Sequence, residues 1–480
     1  MRSALRFKRK RNRSLCSSSL YPKPEHPPPA FKIAIACAKL KTELVDIESS
    51  ILRVGIVGSG IAGLTAAYLL ERDGHDVTLF ERQDALGMSA HGLDMTLRDA
   101  SNEVAVKGDI PSRMFNDLLW PNLAALYREI GVEVEEVNPT QSLSDSTGKT
   151  YLIFSKSYRP QLDASLIFNS RSRKILTGVQ KLFAAAKTDL KNGNFADQTF
   201  EEYLQAGGYS DELKFGYLYP TLSSTVCTCS YAALAHYPAL LIFNALDRLS
   251  GESPLLKTVH GTRDVVNRLS KSISELSLST NVQNVTCQDS EVAVSLQNLG
   301  RNSEQTFDHL VVATQANQAL HLVDTLSAEE RQMLECFKYE DIPVVVHTDP
   351  SLMPMERRRW TTFNMISDDK HAAMCSVWMI QFHKDWQTNV DLFQSIGPLR
   401  SPAEESIQAV AKLQRPVVND RSKSGWRLLK ELNGQKRRNL WFCGSYASKG
   451  IPLLESGVQS AMEVCRHINE AATQGETYCI

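Results

Sequence analysis

The chain has 480 residues, 42% of them hydrophobic and 22% charged. That composition excludes a collagenous, disordered or coiled-coil protein and leaves an ordinary globular one, with room for about three domains. Formal net charge is −1, but eleven Lys and Arg against Glu25 and Glu43 put +9 on residues 1–45 and −10 on the remainder. An acidic body excludes sequence-independent nucleic-acid binding, which needs a basic footprint.

The first 50 residues differ from the rest. They carry Lys8, Arg9, Lys10 and Arg11 in a row, then Ser17, Ser18 and Ser19, then Pro27, Pro28 and Pro29. A basic, Ser-rich, acid-poor segment has the composition of an organellar transit peptide, for plastid or mitochondrion. A disordered tail on a cytoplasmic protein, or a start codon set too far upstream, fits the same residues. No apolar run in the chain reaches the ~20 residues that span a bilayer, so no transmembrane segment is expected.

The informative stretch begins at Arg53. A short apolar strand over 54–57 runs into Gly58, Ser59, Gly60, Ile61, Ala62 and Gly63, a G-x-G-x-x-G. A helix follows over 61–72, stopped by Gly74, and a second strand over 77–80 ends at Glu81. Each piece has a physical role in holding a dinucleotide. Gly58 permits the tight turn, Gly60 lets pyrophosphate approach the backbone, and Gly63 lets helix and strand pack closely. The helix start offers free N–H groups and the positive end of the dipole. Glu81 is placed to accept hydrogen bonds from ribose hydroxyls and would repel a 2′-phosphate, so the ligand is FAD or NAD rather than NADP.

Near the other end, a strand over 439–443 leads to Gly444 and Ser445, and residues 450–461 enter a helix with Ser456, Gly457, Ser460 and Ala461 near one face. This resembles the last element of the flavin-containing amine oxidase superfamily. Further stretches share the resemblance: the helix over 121–132, the glycine-marked helix start at Gly261, the strand over 276–285, the strand and turn over 308–320, and residues 347–354, which resemble a subgroup of predicted FAD/NAD-binding amine-oxidase-like proteins. The likeness runs over residues 52–470.

It implies FAD as the bound nucleotide, contacted by Arg82, Gly87 and Ser89 beside the fingerprint, by the backbone near Val282 at the adenine, and by Gly444, Ser445, Pro452 and Leu453 at the flavin end. Covalent members attach flavin through a cysteine about thirty residues before the terminal glycine. Residues 404–423 contain none, which implies non-covalent FAD. One departure is that the superfamily's Gly-Gly pair is reduced here to Gly87 followed by Met88.

The implied fold class is α/β. A Rossmann-like FAD-binding domain is assembled from discontinuous segments, 52–135, 250–330 and 435–472. An α+β substrate domain is formed by the insertions 136–249 and 331–434. Helices are expected over 174–191 and 200–204, and strands over 343–347 and 375–380.

No HExxH, GxSxG or Walker loop is present. The ten cysteines show no paired CxxC spacing, and Cys227 with Cys229 makes a lone CxC, so no metal site is expected. No catalytic residue stands out. Trp360, Phe363, Trp378, Phe382, Trp386, Trp441 and Tyr446 are candidates for pocket walls, as are His236 and Tyr237 in the apolar run over 231–246; ordinary core packing is the competing role for each. Lys449 lies near the expected flavin end.

The leading functional expectation is an FAD-dependent oxidoreductase of amine-oxidase type that removes hydride from a C–N or C–C bond of a small, apolar, lipid-like substrate. The alternatives are a redox-neutral flavin isomerase moving a double bond in a lipid or polyene, and a flavin-binding protein without turnover.

Overall fold

The computed structural model describes residues 51–87, 92–98, 103–155, 159–160, 169–195, 197–288 and 290–473. The extension over 1–50, with Met88 and Ser89, lies outside them.

Five strands form a parallel sheet in the order Glu275–Ser277, Asp76–Phe80, Arg53–Val57, His309–Val312, Leu440–Phe442. Numbered along the chain, that order is 3-2-1-4-5, the dinucleotide-binding arrangement in which ligands sit at the carboxyl ends of the strands where the winding reverses. The central strand is buried on both faces from Val54 to Val57. It therefore reads as a continuous apolar run rather than an alternating one. Two helices cover one face. The fingerprint helix Ile61–Arg72 packs against the terminal helix Leu454–Thr473 so closely that a Cβ at Gly457 would stand 2.7 Å from Ile61 Cγ2. The small residues over 456–461 thus serve a helix–helix contact as well as marking the turn before it.

The strand expected over 276–285 divides in two. Glu275–Ser277 joins the parallel sheet, the chain turns at Ser279 with φ 50°, and Thr280–Cys287 starts a separate three-stranded antiparallel sheet with Val292–Asn298 and Arg301–Phe307.

An eight-stranded mixed sheet runs in the order Ile407–Val417, Lys338–His347, Phe393–Ile396, Ala372–Trp378, Phe363–Asp368, Gln141–Ser144, Thr150–Ser155, Arg159–Pro160. Only Phe363–Asp368 with Gln141–Ser144 is parallel, the two meeting from separate insertions. The strand expected to reach Ile380 ends at Trp378, because Met379–Phe382 coils into a short helical turn.

Helices fill the rest of the first insertion. Ser170–Asn192 is opened by Asn169, whose side chain accepts from the Arg171 amide, and closed by Gly193 at φ 71°. Phe200–Ala206 opens with a Thr199–Glu202 capping box. The apolar run over 231–246 forms Tyr231–Ala235 and most of Ala239–Leu249. Its Ile242, Phe243 and Leu246 are buried, and Phe243 packs on Phe195, Phe200 and Tyr203 with ring centroids 5.4, 5.9 and 4.7 Å away. That run is core and supplies none of the cavity wall described below. Its helical spacing places the large side chains on one face, where aromatic partners already wait.

Candidate functional site

The three fingerprint glycines differ in what their surroundings require. Gly58 sits at φ 100°, a region closed to most side chains, and its N–H donates to the Phe80 carbonyl at 2.9 Å. Gly63 lies against this turn: a Cβ there would be 1.9 Å from the Gly58 oxygen. Gly60 is different. Its φ of −63° and ψ of 178° suit any residue, and a Cβ there meets nothing within 4 Å. The glycine leaves open space above the start of the helix. No side chain caps that start, so its N–H groups remain free for an anion. These residues fit a dinucleotide pyrophosphate.

Glu81 stands beside the loop. One carboxylate oxygen accepts from the Ser59 amide at 3.1 Å and the Ser59 hydroxyl at 2.5 Å; the other accepts from the Gln83 amide at 2.9 Å. A carboxylate has about four lone-pair directions, so it keeps capacity for ribose hydroxyls. Ser59 Oγ in turn accepts from the Gly87 amide at 2.7 Å. Gly87 is at φ 29°, and a Cβ would come within 1.7 Å of the Ser59 oxygen. This surviving glycine is therefore required by its packing on the fingerprint loop. Arg82 lines the adjoining cavity. Ser89, expected to touch the cofactor, lies outside the described residues. Val282 is buried in the apolar cluster with Val57 and Phe80 and does not line the cavity.

At the other end of the site, Gly444 has φ 152° and is pinned by Ser460. The Ser460 hydroxyl accepts from the Gly444 amide at 2.9 Å and lies 3.0 Å from the Gly444 carbonyl. Gly444, Ser445, Pro452 and Leu453 all face the same cavity as Gly60, Ile61 and Ala62. Glu455, in the first turn of the terminal helix, accepts from the Asn122 and Leu123 amides at 3.2 and 2.9 Å. It thereby ties that helix to the start of Pro121–Glu129.

The cavity has a volume of about 680 Å³. It continues from the glycine loops into a chamber walled by Trp120, Val226, Leu249, Leu255, Phe363 and Ile396. The helical stretch Leu222–Val226 is π-wound, and Thr228 just beyond it has φ 50°; Ser224, Thr225, Val226 and Thr228 all line the chamber. Such windings and left-handed non-glycine residues concentrate where a backbone is shaped around a ligand.

Six buried polar atoms on the cavity lining have no partner among the described residues: Ser112 Oγ, Gln141 Oε1, Ser224 Oγ, Gln315 Oε1, Arg415 Nε and the Tyr446 hydroxyl. Buried polar atoms are nearly always hydrogen-bonded, so six orphans on residues of one cavity lining are an unusual concentration.

Of the aromatic candidates, Phe363 and Tyr446 line the cavity. The others are structural. Trp360 packs edge-on to Trp378, Trp386 stacks on His383, and Trp441 donates to His309 Nδ1 at 3.2 Å. His236 and Lys449 are exposed, and Tyr237 is buried away from the lining. Sequence reasoning did not single out Arg113, Gln141, Ser224 or Arg415, which come from a loop, two strands and a π-wound helix and meet only in the folded chain. Polar residues beside strand ends were the sole available signal.

The chain matches the family model described as flavin containing amine oxidoreductase over residues 61–351. Among curated proteins, thiamine thiazole synthase of Solidesulfovibrio magneticus is 37% identical over 89 residues, which are 17% of this chain and 34% of that enzyme. The chain thus spans about a third of that relative's length.

Among solved structures, a fatty acid isomerase from P. acnes that produces CLA superposes with a TM-score of 0.59 at 16% identity, covering 88% of this chain and 99% of that one. A putative protoporphyrinogen oxidase from Exiguobacterium sp. 255-15 gives 0.59 at 15%, with the same coverage. Cyclohexylamine oxidase from Brevibacterium oxydans IH-35A gives 0.58 at 15%, again covering 88% and 99%. At these identities the likeness establishes the fold.

Proposed function

Since the chain belongs to the flavin-containing amine oxidoreductase family and is by class a flavin-dependent oxidoreductase, we propose that it holds FAD non-covalently and removes hydride from an apolar substrate. The observation that carries this reading is the single cavity that joins the fingerprint glycines, the Gly444 turn and a chamber built from both insertions. Bound FAD supplies the hydride acceptor. The protein's part is to bind, orient and exclude water.

The open face of Gly60 and the uncapped helix start receive the pyrophosphate, and Glu81 receives the ribose. The loop at Gly444 and Ser445, with the helix start at Pro452 and Leu453, borders the flavin end. Trp120, Leu255 and Phe363 give the substrate half an apolar wall, where each buried CH₂ contributes about 0.8 kcal/mol. Among the described residues no cysteine lines the cavity, which supports non-covalent attachment. Cys443, next to Gly444, is fully buried, and burial pushes its thiol up to about 12, which keeps it protonated and unreactive.

The test is anaerobic mixing of the purified protein with candidate substrates while flavin absorbance is followed. Bleaching by unsaturated acyl chains or polyenes, with hydrogen peroxide formed when air is admitted, is the expected result. Bleaching by spermidine or benzylamine alone would overturn the apolar assignment. Conversion of substrate without net oxidation would assign double-bond migration instead, an isomerase reading that the shared fold of a fatty acid isomerase also supports.

A further inference from the structure

The charge on the cavity lining is one-sided. Arg82, Arg113, Lys412 and Arg415 face it, and among the described residues no Asp or Glu does. The four cations are not equivalent. Arg82 directly follows Glu81 at the dinucleotide end. Lys412 is neutralised by Asp341 at 2.8 Å. Arg113 donates to the Thr262 hydroxyl at 2.9 Å, and that hydroxyl donates in turn to the Asp109 carboxylate, so Arg113 is linked to an acid through Thr262. Arg415 has no ion pair among the described residues, and its Nε is buried without a hydrogen-bond partner.

Arg415 projects from Ile407–Val417, the edge strand of the eight-stranded sheet, opposite Glu340. The carboxylate of Glu340 is turned to the Ser230 amide and hydroxyl, at 2.8 and 2.7 Å. The other groups that face Arg415 are the phenol of Tyr237, the thiols of Cys227 and Cys229, and the guanidinium of Arg113, which repels it. None of them is an anion in its ordinary protonation state. Both arginines line the cavity, Arg415 from the second insertion and Arg113 from the 52–135 segment, and neither belongs to the fingerprint or to the terminal helix.

Arg415 is partly exposed while its Nε is buried, and holding a guanidinium there without a counter-charge, with a second guanidinium nearby, is costly. The arrangement is stable in use when an anion completes it. Guanidinium is the side chain best matched to a carboxylate, which it can grip through two parallel N–H donors. The neighbouring orphan atoms, Gln141 Oε1 and Ser224 Oγ, add polar partners around the same chamber.

We propose that Arg415, assisted by Arg113, anchors an anionic group on the substrate, so that this enzyme acts on an amphiphilic acid, an apolar chain ending in a carboxylate, and rejects amines. This rests on the apolar-substrate reading above and makes it specific. A protonated amine would enter a chamber holding positive charge and no carboxylate to receive it. A neutral chain would leave Arg415 without a counter-charge. The other source of negative charge is the cofactor, and the experiment separates the two.

Purified full-length protein is titrated calorimetrically with decanoate, decanol and decylamine, and its FAD content is measured in parallel. Decanoate is expected to bind at least tenfold more tightly than decanol, and decylamine more weakly than either. Arg415→Gln should remove the preference for decanoate while FAD content stays at the wild-type value, and Arg415→Lys should retain part of it. Arg113→Gln should reduce the same preference and provides a second variant if Arg415→Gln does not fold. Equal binding of decanoate and decanol by the wild type overturns the proposal. So does an Arg415→Gln protein that loses FAD yet keeps its preference, which would make Arg415 a cofactor contact. A wild-type protein that purifies without flavin contradicts the oxidoreductase reading instead, and the calorimetric preference still decides the role of Arg415.

Discussion

Gly60 separates what the fold needs from what the ligand needs. Its backbone, at φ −63° and ψ 178°, accepts any residue, and its Cβ direction is clear to 4 Å. Valine is well suited to extended backbone, so Gly60→Val introduces no strain. It exchanges a tolerable helix-capping residue for a poor one, which costs about 1 kcal/mol and lowers Tm by a few degrees at most. The three added carbons, however, fill the space assigned to the pyrophosphate and hold it off the helix N–H groups.

Hydrogen bonds to a charged partner are worth about 1.5–3 kcal/mol each. Losing two weakens FAD by roughly a hundred- to ten-thousand-fold. Gly63→Val is the contrast, because its Cβ would stand 1.9 Å from the Gly58 oxygen. The turn or the helix must then move, and stability falls with or without ligand. Thermal melts by circular dichroism and FAD titration of the apoproteins, followed by quenching of free FAD fluorescence, distinguish the two. A folded Gly60→Val protein with wild-type FAD affinity would refute the assignment of that space to the cofactor.

Glu81→Ala removes the ribose acceptor and the partner of Ser59. FAD affinity should fall about ten- to hundredfold, less than for Gly60→Val, and an unchanged dissociation constant would remove Glu81 from the cofactor site. Acid should also destabilise the protein through three histidines. Burial holds His309, His347 and His383 down to about 4, 4 and 3, whereas in the unfolded chain they titrate near ~6.5. The unfolded state binds the extra protons, so their contribution is present above pH ~6.5 and is lost as pH falls towards 4. His347, bonded through Nε2 to Ser395 Oγ at 2.8 Å, is the simplest to test. The Tm difference between wild type and His347→Gln should narrow from about pH 7.5 to about pH 5, and parallel curves would show that His347 is not the titrating group.

What could be read from the sequence was local. Strand, turn and helix from Arg53 to Arg72 are contiguous, and each glycine has one steric task, so spacing alone specified them. The helix expected over 174–191 also forms, but it starts earlier, at Ser170, because Asn169 caps it, and it ends at Asn192 before Gly193. The chamber was not legible, because it depends on pairings distant in sequence, Gln141 with Phe363 across two insertions and Arg415 with Glu340. Hydropathy also misdirected. The run over 231–246 is apolar because it packs on Phe195 and Phe200, and core wall and cavity wall have the same composition. The strand expected over 276–285 divided because Ser279 adopts a left-handed turn that no glycine announced. Cations that serve a buried site look in sequence like any surface arginine. Only the missing partner distinguishes Arg415, and a partner is a property of the fold.

The most direct test of the account is the fate of the colour on acid precipitation of the purified full-length chain. The account predicts a yellow solution before precipitation, a colourless pellet after it, and one FAD per chain in the supernatant. NAD in the supernatant would contradict the cofactor assignment, and colour retained by the pellet would contradict non-covalent binding.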